Sequence, residues 1–107
     1  MFVYAVIDSG GLFTDVVEQD KPISYDKMVE CVGGFIEAVY LNGAVGYVNE
    51  EGKIFGLPNN VHATKLAHNH EAIYNDDYIA GNMLIVGNCD DEGEMMTLTT
   101  EWINANL

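Results

Sequence analysis

From Phe2 to Ile7 the chain is an unbroken run of β-branched, aromatic and small apolar residues, closed by Asp8-Ser9-Gly10-Gly11. An apolar run ended by turn formers predicts a strand and a reversal. Residues 12–17 are expected to return as a second strand, making an opening hairpin that Pro22 stops. The period then changes. Met28, Cys31 and Val32 recur at i, i+3 and i+4, which puts them on one helical face. Ser24 is an N-cap residue, Asp26 lies in the first turn where the helix dipole favours negative charge, and Gly33-Gly34 supplies a stop. A helix over 25–32 follows.

Residues 35–41 read as a strand, Asn42-Gly43 is a strong two-residue hairpin signal, and residues 44–49 are the mate. Glu50-Glu51-Gly52-Lys53 turns the chain before Ile54-Phe55-Gly56-Leu57, with Gly52 expected to take the positive φ. Pro58-Asn59-Asn60 is a loop leading to a helix over 61–68, and residues 69–77 are a polar loop. Residues 78–82 lead into 83–86, apolar on both faces and so a central strand. Asn88 to Glu94 is an acidic turn, residues 95–99 are expected to pair back antiparallel, and residues 100–104 start a terminal helix capped by Thr99 or Thr100. Strands outnumber helices and hairpins dominate. The expectation is one α+β domain over residues 1–107, a mainly antiparallel sheet with two or three short helices.

Charge narrows the partners. Seventeen Asp and Glu face four Lys and no Arg in 107 residues, a formal net charge of −13. Direct nucleic-acid binding needs cations against phosphates and is disfavoured, as is an anionic membrane surface. A folded chain of this mass exposes roughly 5,900 Å², on the order of 450 Å² per net charge. A DNA cylinder carries one charge per roughly 110 Å². A DNA mimic would therefore have to gather its carboxylates on one side. Met1 leads straight into the first strand with no basic n-region, so neither a signal peptide nor a membrane span is expected. Two cysteines, Cys31 and Cys89, fit a reduced cytoplasmic setting, with one bridge between them left open.

Candidate chemistry is sparse. His62, His68 and His70 stand at intervals of six and two, which fit no helical pair of metal ligands, and read as exposed polar residues on a loop. Asn88, Asp90, Glu92 and Gly93 match positions 1, 3, 5 and 6 of a calcium loop, but Thr99 stands where the bidentate Glu belongs. No nucleophile elbow or phosphate-cradling loop occurs, and Cys31 is read as lacking a cationic neighbour to make its thiolate. The expectation is a non-enzymatic protein without cofactor or metal.

Val32-Gly33-Gly34-Phe35-Ile36-Glu37, then Asn49-Glu50-Glu51-Gly52-Lys53, then Gly56-Leu57-Pro58-Asn59-Asn60 and Ile79-Ala80-Gly81 before the run ending at Gly87 form a pattern over roughly residues 24–100. It resembles the domain of unknown function 3846 family, scattered among bacteria, plasmids and bacteriophages. The resemblance implies context, a small accessory protein of a phage or mobile element in a bacterial host, and carries over no catalytic residue. These motif residues are read chiefly as scaffold.

The acidity falls in clusters: Asp15, Glu18 and Asp20; Glu50 and Glu51; Glu71, Asp76 and Asp77; and Asp90, Asp91, Glu92 and Glu94. All but Glu71 are the candidate partner-binding residues. The leading expectation is an acidic binding protein that occupies a basic surface of a host protein or nucleoprotein complex, as an anti-CRISPR or anti-restriction inhibitor would. Solvated hairpin tips are the plainer reading. The alternative is a small-ligand-binding or sequestering module lined by Tyr40, Tyr47, Asn59, Asn60 and Tyr78. Oligomeric state is open.

Overall fold

Phe2–Ile7 forms strand β1, and Thr14–Gln19 forms β2, which returns antiparallel beside it with Tyr4 opposite Val17. The computed structural model describes residues 1–10 and 14–107; Gly11 and the expected strand start at Leu12 lie outside the described residues. Ile36–Leu41 (β3) and Ala44–Asn49 (β4) form the hairpin expected at Asn42-Gly43, and Gly43 takes φ 82°. Met83–Gly87 (β5) is buried on both faces and pairs with β1 and β4. The sheet runs β2-β1-β5-β4-β3, antiparallel throughout, an α+β arrangement with three helices among the described residues.

Each helix is set by a local cap. Helix α1, Tyr25–Val32, begins where the Ser24 hydroxyl accepts from the Lys27 N–H. It ends at Gly33, whose φ of 81° suits glycine and whose N–H donates to the Val29 carbonyl. Helix α2, Val61–Asn69, is capped by Asn60, and α3, Thr100–Asn106, by Thr99. None of these helices is long and apolar enough to cross a membrane.

Alternation along the strands divides the core into two layers. On one face α1 places Met28 over Phe2, Tyr4, Val45, Leu84 and Val86 in a region reaching Ile23, and Val32 is buried as well. On the other, Ala63, Leu66 and Ala67 of α2 and Trp102 of α3 cover Ala5, Ile7, Val48, Met83 and Ile85. The sheet is therefore sandwiched between helices.

Two expectations are corrected. Residues 95–99 do not form a full strand. Both sides of β5 are taken, so this segment makes one bridge, Cys89 to Met95, and then slots between the ends of β1 and β5. There the Gly87 N–H donates to Met96 O at 3.0 Å and the Leu98 N–H to Val3 O at 2.9 Å. A Cβ on Gly87 would sit 2.3 Å from Thr97 O. Gly52, in turn, does not hold a positive φ; Gly56 does, at 69°. Gly52 is needed because a Cβ there would lie 2.8 Å from Ala80 O.

Candidate functional site

Of the residues that resemblance singled out, Asn49, Asn60 and Gly34 hold the fold, whereas Glu37, Glu50 and Lys53 line a groove. Asn60 is 1% exposed and uses its whole amide. Its Nδ2 donates to Ile7 O at 2.9 Å and Gly81 O at 3.0 Å, while Oδ1 accepts from the Ala63 N–H. Asn49 donates to Val32 O and accepts from the Glu51 N–H, tying the exit of α1 to the turn after β4. Gly34 lies close against this amide, within 2.9 Å of a notional Cβ.

His62 and His68 stand on α2 rather than on the expected loop, and His70 lies in the turn just after it. His62 is exposed on α2, whereas His68 and His70 are half-buried. His68 Nε2 meets Asp77 O at 2.9 Å. His70 Nδ1 accepts from the Asn42 N–H at 3.0 Å, its Nε2 meets Asn106 Oδ1 at 2.7 Å, and its ring stacks on Trp102. Trp102 Nε1 donates to Asn42 O, so α2 and α3 together hold the β3–β4 turn. Among the described residues, no group of three His, Cys, Asp or Glu is placed to hold a metal ion.

Cys31 and Cys89 are both free thiols. Burial pushes the Cys31 thiol up. Lys27, one turn earlier, opposes this and is the cationic neighbour that the sequence reading did not count. That lysine is engaged by Glu30, whose hydrogen bond raises the ammonium, and burial of the thiol prevails.

The acidic clusters occupy three separate regions. Asp15 and Glu18 lie on β2 at one edge of the sheet, opposite Val6 and Val3, so they point to opposite faces; Asp20 follows the strand. Asp90, Asp91, Glu92 and Glu94 form the hairpin tip beyond β5. The Asp90 carboxylate is engaged there by the N–H groups of Glu92 and Glu94, each at 2.9 Å, so it caps its own loop. Glu50 and Asp77 line a groove with Glu37 beside β3, the other edge, and Glu71 lines its continuation; Glu51 and Asp76 are their sequence neighbours and line neither. Taken over 6558 Å² of surface, the net charge amounts to about one per 500 Å², against roughly 110 Å² on DNA.

The β3 side is where shape joins charge. A groove of about 350 Å³ runs between β3–β4, the turn after β4 and the segment around Tyr78. A second of about 470 Å³ continues along Glu37–Tyr40 under the wall formed by Glu71–Tyr74. They share Glu37, Val39, Ile73 and Asp77, and form one trench. Lys53 is its cation: it pairs with Asp77 and lies 4.6 Å from the centre of the Tyr78 ring. The hydrogen bond from Lys53, helped by the Tyr78 N–H, holds the Asp77 carboxyl below the usual range, and raises the lysine in turn. Glu71 is the one described non-glycine residue with positive φ, 53°. Ile54, Tyr40 and Tyr74, which line the grooves, and Phe35 and Phe55, close to them in sequence, are all more than 60% exposed.

The five residues of the ligand-pocket reading are dispersed. Asn60 is interior, Tyr47 lies on the α1 face, Tyr40 and Tyr78 line different parts of the trench, and Asn59 makes a bridge to Ala80. Sequence reasoning missed the trench because Glu37 and Glu71 are far apart along the chain; the exposed aromatics beside Glu37 were the available signal.

No curated protein and no solved structure matches the chain. The family model described as Domain of unknown function (DUF3846) matches residues 3–106, almost the whole chain, and the protein belongs to that family.

Proposed function

We propose that this protein is a non-enzymatic acidic binding protein, an accessory factor of a phage or mobile element acting in the bacterial cytoplasm. It occupies a basic surface of a host nucleic-acid-binding or defence complex, of the CRISPR or restriction type. The observation that supports this is the shortage of internal counter-charge. Of seventeen carboxylate residues, only Glu30 and Asp77 meet a lysine among the described residues, and the trench joins several of the rest to exposed aromatics. Exposed aromatics beside charge suit a protein interface, where apolar burial supplies affinity and complementary charge supplies rate and register. The dispersal of the other clusters favours contact through this side over mimicry of a whole duplex.

The test is cleavage by purified RNA-guided and restriction nucleases, with and without the protein, between about 50 and 300 mM salt, a range over which the Debye length falls from roughly 14 to 6 Å. Inhibition that weakens with salt is expected. Full activity of every nuclease at the lowest salt would overturn the reading.

A further inference from the structure

The trench runs along a sheet edge that is open. In the β3–β4 ladder the Glu50 N–H donates to Phe35 O at 2.8 Å, so Phe35 and Glu50 face each other through a hydrogen-bonded position. Antiparallel ladders alternate, so Glu37, Val39 and Leu41 turn their backbone groups toward β4. Ile36, Ala38 and Tyr40 turn theirs outward, and no described side chain or loop bonds to them. The edge on offer spans about 14 Å, enough for five residues of an added strand.

The two edges of the sheet differ. β2 carries Asp15 and Glu18 on opposite faces, charges that keep a strand from pairing with a stranger. β3 reads Ile-Glu-Ala-Val-Tyr-Leu, with Glu37 as its one charge. Glu37 lies opposite Val48, on the trench face, where Asp77 and Glu71 also line the walls. A strand laid against β3 would send alternate side chains into this carboxylate-lined trench and the others past Tyr40 and Ile36.

We propose that β3 receives an extended cationic segment of a protein partner, added as a sixth strand, with Lys or Arg at alternate positions entering the trench toward Glu37, Glu71 and Asp77. This rests on the acidic-binding reading and specifies its mode. Main-chain hydrogen bonds to Ile36, Ala38 and Tyr40 give the attachment, and the carboxylates select the sequence. Charge decides against a second copy of this chain: each copy carries −13 and would bring its own acidic trench to the edge.

The probe is a blocked nine-residue peptide alternating Lys and Val, compared with the same peptide carrying Glu for Lys. On adding the Lys peptide at 50 mM salt, amide exchange at Ile36, Ala38 and Tyr40 is expected to slow at least tenfold while β2 amides are unchanged. The Glu peptide should not bind. Ala38→Pro removes an outward N–H that the β3–β4 ladder does not use, and should weaken peptide binding at least tenfold. Should that variant misfold, Glu37→Lys tests the trench through the same exchange readout and should weaken binding as strongly.

Absence of peptide binding, protection on β2 instead of β3, or equal binding of both peptides each overturns the proposal. Protection of the β3 amides in the free protein, with a dimer in sedimentation, overturns it in favour of self-pairing. A folded Ala38→Pro variant that still inhibits a nuclease fully refutes edge addition while leaving the acidic-binding reading intact. Specific β3 binding of the Lys peptide alongside nucleases that are all unaffected does the reverse.

Discussion

Glu71 occupies a backbone position that favours glycine. Its φ of 53° follows the α2 exit, where the Ala72 N–H reaches back to Ala67 O at 2.9 Å, the closure usually made around a left-handed glycine. Relief of side-chain strain in Glu71→Gly outweighs the added freedom of the unfolded chain, so the variant should be more stable by about 0.5–1 kcal/mol, read as a higher urea midpoint with unchanged slope. A less stable variant would mean that the Glu71 side chain contributes more to the fold than its strain costs. Asn60 illustrates the opposite constraint. Asp in its place keeps the oxygen that caps α2 but turns a second oxygen toward the carbonyls of Ile7 and Gly81, which now accept from Nδ2. Asn60→Asp should lose about 3 kcal/mol or more at neutral pH, by chemical denaturation. Ser24 and Gly33 were legible in the sequence because their bonds close within four residues. Asn60 was legible only as loop, since two of its partners lie 53 and 21 residues away. Gly52 and Gly87 were opaque for the same reason: the carbonyls that exclude a Cβ arrive from distant segments.

At the scale of elements, hairpins and helices could be read from periodicity and caps, because each is decided by contacts near in sequence. The pairing of 95–99 could not, since it depends on which edges other strands have already taken. The trench needed three such assignments at once: β3 at an edge, the turn after β4, and the Glu71–Tyr78 wall. The Lys53–Asp77 contact joins the last two, and its pH dependence follows from the directions of shift. Asp77 is held below its ordinary value, so its contribution is complete above the unfolded carboxylate pKa and is lost as pH falls through the lower folded one. Lys53 is raised, so its contribution is complete below the unfolded lysine pKa and is lost as pH rises through the folded one. Both side chains are a third or more exposed, which limits the pair to about 0.2–1 kcal/mol. The stability difference between wild type and Asp77→Asn should therefore form a plateau between those limits and shrink on the acid side. A difference that grows below pH 3 would contradict the assignment.

Across the whole molecule, distance decides which carboxylates repel. The body measures 34 × 28 × 27 Å, and the Asp90–Glu94 tip lies at the end of the sheet away from the turn after β4. At 0.01 M salt the Debye length is about 30 Å, so every cluster feels every other; at 0.15 M it is about 8 Å, and repulsion is confined within each cluster. With a charge of −13, the melting temperature should rise steeply as salt increases from about 10 to 100 mM and then flatten beyond about 150 mM. Neutralising the tip by Asp91→Asn with Glu92→Gln should raise stability mainly on the steep part of that curve, leaving the Asp90 cap in place. Those two side chains line neither groove, so the double variant should bind the cationic peptide nearly as wild type does at physiological salt, where long-range attraction is screened. If it instead weakened binding as much as Glu37→Lys, the molecule would be acting through its total charge, and the β3 side would hold no special place in recognition.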